Sequence, residues 1–251
     1  MTVALRNLRA IFVRELAGYF LSPTAYVVLF FFLLTNGITF YVYASWFRTD
    51  PRQIDVVIQY LFGWLPFWIL FLLMPPILTM RLFAEEKRTG TIETLMTAPV
   101  TDFQVVMGKF LAAETFFAVI WSTVLVFIAI LGVLGNPDWG PVFAFYVGVL
   151  SLGALFTAIG LLSSAFTRNQ LIAAIVAMSV NLFLFFLNQC RAIFRGDAAA
   201  QEFFDFISFY HHFFNDYSRG LVDIRYVVLY LSFTGFVLYF AVKVVSWRRG
   251  R

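Results

Sequence analysis

The sequence predicts an all-α, polytopic membrane protein with six transmembrane helices, and two observations lead to this class. Hydrophobic residues make up 61% of the 251-residue chain and charged residues only 13%, whereas about a quarter of the residues in soluble domains are charged. The apolar residues also form six windows, each long enough to cross a hydrocarbon core of about 30 Å. Because these windows leave no room for a soluble catalytic domain, we expect residues 1–251 to form a single transmembrane domain. The windows are Thr24–Trp46, Tyr60–Met80, Phe103–Leu134, Pro141–Phe166, Leu171–Leu187 and Tyr226–Val245.

Residues 1–22 are expected to form an amphipathic helix that lies in the membrane interface. Arg6 and Arg14 lie away from a continuous apolar helical face. Ser22 and Pro23 are residue types favoured at a helix N-cap and at the first helical position, so the first span is predicted to start there. The apolar face consists of Leu5, Leu8, Phe12, Leu16 and Tyr19.

The distribution of Lys and Arg predicts how the chain is oriented. With six spans, the side that holds both termini and the loop after the second span carries about twice as many basic residues as the other side. The positive-inside rule therefore predicts a multi-pass protein of the cell inner (cytoplasmic) membrane with both termini in the cytoplasm. Because the basic residues are sorted by membrane side, nucleic acid is not expected as a partner.

The longest outer connection, residues 188–225, is expected to contain a re-entrant segment between the fifth and sixth spans. Phe203–Phe214 is too aromatic for a loop in water, yet too short and too polar to cross a membrane. Backbone that enters a membrane without spanning it must be buried against protein. We therefore expect a helical hairpin that dips into the outer leaflet.

The sequence contains no motif for catalysis or for a cofactor of its own. Cys190 is the single cysteine, and no Cys/His spacing suits a metal, so neither a disulfide nor a zinc site is encoded. The phosphate-loop pattern G-x-x-x-x-G-K-[ST] is missing, since Gly108 and Lys109 are followed by Phe110. The chain is therefore not expected to be an enzyme, and any ATPase activity that serves it would lie in a partner chain.

The loop at residues 81–102 combines a high density of charge with helix-capping residues. Arg81–Arg88 is expected to continue the second span beyond the membrane, and residues 89–91 interrupt that helix. Residues 92–97 can form a short helix that lies parallel to the membrane. The apolar tip of this helix would consist of Ile92, Leu95 and Met96.

Helix-boundary signals flank this loop on both sides. Pro75 and Pro76 predict a kink in the second span just before it leaves the membrane. Thr101 and Gln104 form a capping-box pattern, which predicts the start of the third span.

The same loop carries the pattern E-x-x-x-G-T-I-E-x-L-x-T-x-P-V from Glu86 to Val100. Together with the interfacial helix, the six spans and the outer re-entrant segment, this pattern resembles the ABC-2-type permeases of ABC transporters. It is most similar to the subgroup of gliding-motility-type and related exporter permeases.

The resemblance implies a permease subunit of an ATP-driven exporter that dimerises with a second copy or a paralogue. A separate ATP-binding subunit, which binds ATP and Mg, would dock on a coupling helix in the loop, and substrate would move along the first, second and fifth spans. The lipid membrane and an extracytoplasmic accessory protein complete the expected partners. Carried over by position, the docking residues are Glu85, Glu86, Gly90, Thr91, Ile92, Glu93, Leu95 and Met96.

Several polar residues within the spans are candidates for lining a translocation path, although interhelical hydrogen bonds explain them equally well. Glu114 is an intramembrane carboxylate and hence a functional candidate by default. A position at the interface, or an ion pair with Lys109 or Arg168, is the alternative that we favour for it. The path candidates are Thr35, Asn36, Thr39, Asn181 and Asn188.

Two other classes of function compete with an ATP-driven exporter. A secondary transporter or channel without an ATPase should carry paired intramembrane charges or broken helices in two matching halves. A membrane scaffold that recruits an ATPase for mechanical work on another protein would need the same loop. The aromatic spans favour an amphipathic or hydrophobic substrate, but the sequence does not identify it.

Overall fold

The computed structural model describes residues 3–47, 65–91, 99–134, 138–190, 194 and 197–249. These residues form helices and no strands, and six helical segments are long and apolar enough to cross a membrane. The predicted all-α class with six candidate spans is therefore confirmed. The six segments are Pro23–Val42, Leu65–Thr89, Asp102–Ile130, Trp139–Phe166, Gln170–Leu187 and Ile224–Trp247.

The N-terminal helix α1 (Val3–Phe20) is separate from the first span, α2 (Pro23–Phe47). The chain breaks between them at Leu21 and Ser22, and α2 starts at Pro23 as predicted, because proline fits the first helical position. Helix α1 packs along the third span, and its position in a membrane interface stays a prediction.

The second span consists of α3 (Leu65–Thr79) and a polar continuation, α4 (Arg81–Thr89). Pro75 and Pro76 lie inside α3, close to the break at Met80. Because each proline lacks an N–H, the last turns of α3 lose backbone hydrogen bonds, and a kink at the prolines stays a prediction.

The third span begins with the predicted capping box. Thr101 Oγ1 accepts a hydrogen bond from the Gln104 amide at 3.3 Å, and the Gln104 side chain accepts one from the Thr101 amide at 3.1 Å. Helix α5 (Asp102–Ser122) follows, and a short break at Thr123 separates it from α6 (Val124–Leu134).

The fourth span, α7 (Trp139–Phe166), is the central helix of the bundle. It packs against α3, α4 and α5, and also against the fifth span, α8 (Gln170–Cys190), and the sixth, α10 (Ile224–Arg249). In its most apolar window 78% of the residues are buried, against 11% for α2 and 17% for α8. The bundle is thus built around α7, while α2 and α8 expose most of their surface.

At the far end from α4, a helix and a set of short turns connect α8 to α10. Helix α9 (Ala198–Ile207) starts at Asp197, whose carboxylate accepts hydrogen bonds from the amides of Ala199 and Ala200. Short helical turns follow from residue 209 to residue 219, and they bury Phe213 and Tyr217 in the bundle. The predicted aromatic segment therefore does pack against protein, and its depth in the outer leaflet stays a prediction.

His212 fixes these turns to the sixth span. Its Nε2 lies 3.1 Å from the Asp205 carbonyl, which can only accept, so Nε2 carries the proton and Nδ1 accepts from the Tyr230 hydroxyl at 2.5 Å. The ring also stacks on Tyr226 at 3.6 Å. Burial lowers the pKa of the His212 imidazole to about 4, so the ring is neutral at physiological pH.

Glycines on α7 allow its neighbours to approach closely. A Cβ at Gly153 would lie 2.3 Å from the Phe117 ring of α5, and one at Gly160 would lie 2.0 Å from the Thr79 hydroxyl of α3. Small residues at helix contacts are a common means of close packing in membranes. Any larger residue at these positions would push α3 or α5 away from the central helix.

We expect Gly153→Ala to destabilise the bundle by about 1–3 kcal/mol, because the added methyl group must displace the buried Phe117 ring. Gly235→Ala is the matched control, since a Cβ there has nothing within 4 Å. The control should be neutral or stabilising by up to about 1 kcal/mol, because alanine favours helix more than glycine does. Thermal unfolding in detergent would compare the two variants, and equal midpoints would contradict the packing described for α7.

Candidate functional site

The candidate site is the elbow, which we define as α4 together with Gly90 and Thr91. Lys109 of α5 lies next to the elbow, between two carboxylates from different helices. Its Nζ is 2.7 Å from Glu86 Oε1 of α4 and 2.9 Å from Glu15 Oε1 of α1. Only 1% of the Lys109 side chain is exposed, so this ammonium depends on the two carboxylates for compensation.

Arg14 of α1 completes this arrangement, and we call Arg14, Glu15, Glu86 and Lys109 the ion cluster. Arg14 Nη2 is 2.6 Å from Glu15 Oε1 and 3.3 Å from Glu86 Oε1. Burial works to raise the pKa of the Glu15 carboxyl, but the charge of Lys109 and the hydrogen bonds from Arg14 and Lys109 outweigh it and lower the pKa. Glu15 therefore stays ionised, and the cluster holds two positive and two negative groups.

Glu85, the preceding residue, points to a different part of the bundle. One carboxylate oxygen pairs with Arg88 at 2.6 Å, and the other accepts a hydrogen bond from Gln170 at the start of α8. Consecutive residues on a helix diverge by about 100°, so Glu85 and Glu86 connect α4 to different neighbouring helices. The elbow is thereby linked to α1 and α5 on one side and to α8 on the other.

Ser164, near the end of α7, stabilises the break between α3 and α4. Its hydroxyl oxygen accepts hydrogen bonds from the amides of Phe83 and Ala84, each at 3.0 Å, and it donates to the Met80 carbonyl at 3.0 Å. The first amides of a helix lack partners within that helix. A side chain from another helix therefore takes the place of an N-cap residue for α4.

Lys87 adds a hydrogen bond from a side chain of α4 to the backbone of α7. Its Nζ donates to the Ala165 carbonyl, and it lies 3.5 Å from the Ser164 carbonyl, at the last turn of α7. Carbonyl groups at a helix C-terminus carry partial negative charge and favour a cation. Helix α4 thus both donates amide hydrogen bonds to the Ser164 side chain and places Lys87 on the last carbonyls of α7.

Arg81 connects the elbow to the joint between α1 and α2. Its guanidinium donates to Ser22 Oγ at 2.5 Å and to Thr24 Oγ1 at 3.2 Å, and it lies over the Tyr19 ring at 5.0 Å. The Tyr19 hydroxyl in turn donates to the Leu78 carbonyl at 2.8 Å. The Ser22 hydroxyl, predicted as a helix cap, is therefore also a bonding partner of the elbow.

Gly90 ends helix α4, as the sequence predicts. Its φ of 77° is left-handed, a conformation that glycine adopts at helix ends without steric cost. The Thr91 hydroxyl lies 3.0 Å from that of Thr89. The remaining predicted docking residues, Ile92, Glu93, Leu95 and Met96, lie outside the described residues.

The described path candidates lie on two different spans, α2 and α8. In α2 the Asn36 amide donates to its own helix at Phe32, and Thr39 donates to Thr35. Asn181 of α8 is fully buried within the subunit, and its amide atoms have no hydrogen-bond partner among the described residues. The side chain of Asn188 is outside the described part of the chain.

The expected ion pair of Glu114 with Lys109 or Arg168 is wrong for the residues described. Lys109 is already held by Glu15 and Glu86, and both Glu114 oxygens are buried without a hydrogen-bond partner there. Glu114 lies five residues beyond Lys109 on α5. That spacing corresponds to about 7.5 Å along the helix and turns the carboxylate away from the ion cluster.

Sequence reasoning missed Arg14, Glu15 and Ser164 as parts of this site. An acidic and a basic residue within the predicted interfacial helix were a signal for ion pairs, since charges at membrane depth are usually compensated. No sequence signal distinguishes Ser164 from its neighbour Ser163, which bonds only within its own helix.

One family comparison identifies the class of this chain. Residues 27–219 match the family described as ABC-2 family transporter protein, so the matched region covers most of the chain and includes the elbow. The chain belongs to the ABC-2 transporter family and is a multi-pass membrane transport subunit. The comparison with curated proteins found no match.

We expect Ser164→Ala to destabilise the protein by about 1–3 kcal/mol, because two buried amides of α4 lose their acceptor. Ser163→Ala is the matched control, because the Ser163 hydroxyl bonds only the Ile159 carbonyl of its own helix. Hydrogen exchange should accelerate at residues 83 and 84 in Ser164→Ala alone. Unchanged exchange there would mean that Ser164 does not cap α4.

Proposed function

We propose that this chain is the permease subunit of an ATP-driven exporter in the cell inner membrane, with both termini and the elbow in the cytoplasm. A separate ABC ATP-binding subunit, which holds ATP and Mg, docks at residues 85–97, and the elbow transmits its motion to the spans. The orientation rests on the excess of Lys and Arg at this end. The proposal of a separate ATP-binding subunit rests on the family match and on the absence of a phosphate-loop pattern from the sequence.

The observation that carries this proposal is the set of bonds between the elbow and the other helices. Helix α4 continues α3, its Glu86 pairs with Lys109 of α5 and Arg14 of α1, and its amides bond Ser164 of α7. Glu85 adds the link to Gln170 of α8. A displacement of α4 therefore acts on five other helices, which is the property that a coupling element needs.

The distribution of charge favours an apolar contact with the partner. Glu85 and Glu86 already pair with Arg88 and Lys109 within the chain. Removing such partners for a new ion pair would give little net free energy. The contact would therefore rely on the apolar residues that recur at helical spacing in the same loop, Ile92, Leu95 and Met96.

We further propose that two subunits, either two copies or this chain and a paralogue, assemble through the outward faces of α2 and α8. These are the least buried of the six spans, with 11% and 17% of their most apolar windows buried. Lipid covers whatever part of these faces the partner leaves free. The substrate path along this contact is proposed from the family resemblance, and an extracytoplasmic accessory protein remains a further proposed partner.

The docking proposal predicts that Leu95→Asp abolishes co-purification of the permease with its co-expressed ABC ATP-binding subunit. A charge at the centre of an apolar contact is costly because it must be desolvated without a partner. Thr94→Asp is the matched control, since residue 94 lies on the opposite face of a helix over residues 92–97. The control should retain the complex, because it adds the same charge outside the contact.

Glu86→Ala should instead leave the complex intact and weaken the response of ATP hydrolysis to the permease, because it breaks the ion cluster and leaves the proposed apolar contact of Ile92, Leu95 and Met96 unchanged. Full partner binding and full transport by Leu95→Asp would overturn the docking assignment.

A further inference from the structure

A lateral groove lies between α5, α7 and α10, away from the elbow and from the faces of α2 and α8. Its volume is about 550 Å³, and its walls are almost entirely apolar. Leu150 of α7 and Leu231 of α10 lie at the groove and are 37% and 52% exposed, so it opens on the side of the bundle that faces lipid. The groove follows α5 from residue 110 to residue 118, or about 12 Å along the helix.

Among the described residues that line this groove, Glu114 is the one that is ionisable. Both of its oxygens are buried, and neither has a hydrogen-bond partner among the described residues. The Thr157 hydroxyl lies beside the carboxylate, and it too is buried without a hydrogen-bond partner among the described residues. A carboxylate among apolar side chains is costly unless it is neutralised or paired with a cation.

Among the hydroxyl groups that line the groove, those of Ser151 and Thr234 donate within their own helices. Ser151 Oγ donates to the Val147 carbonyl at 2.6 Å, and Thr234 Oγ1 donates to the Tyr230 carbonyl at 2.8 Å. None of the described residues that line the groove is basic. The groove therefore offers a single carboxyl group at the side of an apolar channel, and no described lining residue can pair with a phosphate or a carboxylate of a ligand.

We propose that this groove binds an alkylammonium amphiphile, with its ammonium group on Glu114 and its chain along the apolar walls. An ammonium supplies the missing cation, and it can donate to the Glu114 carboxylate in surroundings of low dielectric constant. The alkyl chain fits a channel that opens toward lipid. A zwitterionic phospholipid fits less well, because its phosphate finds no basic partner there. The proposal is independent of ATPase docking.

Photocrosslinking of the purified full chain in phosphatidylcholine nanodiscs tests this proposal. The probes are a dodecylamine with a diazirine in its chain and the matched dodecanol. We expect the amine to label peptides of α5, α7 and α10 around Leu111, Leu150 and Leu231 about tenfold more than the alcohol does. Excess phosphatidylethanolamine should not compete.

Glu114→Gln keeps the shape of the side chain and should reduce amine labelling to the level of the alcohol. Glu202→Gln, on α9 far along the chain from the groove, is the matched carboxylate control and should leave labelling unchanged. Leu150→Trp narrows the groove and should reduce labelling by both probes, which tests the location without touching the carboxylate.

Equal labelling by amine and alcohol, or amine labelling that survives in Glu114→Gln, would overturn the proposal. Competition by phosphatidylethanolamine would overturn the assignment to a simple ammonium. A second copy of this chain that covers the groove would appear as protection from both probes in the dimer, and it would also overturn the proposal.

Discussion

The buried ammonium of Lys109 is the constraint on which the arrangement of the elbow depends. It is held by Glu15 of α1 and Glu86 of α4, and 1% of its side chain is exposed. An ammonium in such a position is stable only while both carboxylates remain close. Helix α1, the extension of the second span and the third span are therefore fixed to one another at a single point.

Helix α7 is the second structural element that holds the elbow in place. Glycines at positions 153 and 160 bring α5 and α3 into close contact with it, and Ser164 at its end caps α4. The break at Met80 follows the two prolines of α3, and the Ser164 hydroxyl donates a hydrogen bond to the Met80 carbonyl. Under the function proposed above, a joint bonded in this way would carry the motion of a docked ATP-binding subunit to the spans.

Local features of this fold could be predicted from the sequence, whereas distant contacts could not. The six spans, the capping box of Thr101 and Gln104 and the turn at Gly90 each depend on residues close together in the chain. The pair of Lys109 with Glu15 spans 94 positions, and the hydrogen bonds to Ser164 span about 80. The assignment of Lys109 to Glu114 failed for the same reason, since helical spacing alone does not reveal which neighbouring helix supplies a carboxylate.

A double-mutant cycle between Lys109→Met and Glu86→Gln tests the central claim most directly. If the ammonium joins α5 to α4, each single variant lowers the free energy of unfolding, and the double variant loses less than the sum by at least about 1 kcal/mol. The remaining carboxylate of Glu15 pairs with Arg14, so the double variant should still fold. Effects that add within about 0.5 kcal/mol would mean that Lys109 and Glu86 act independently and that the ion cluster does not hold the elbow.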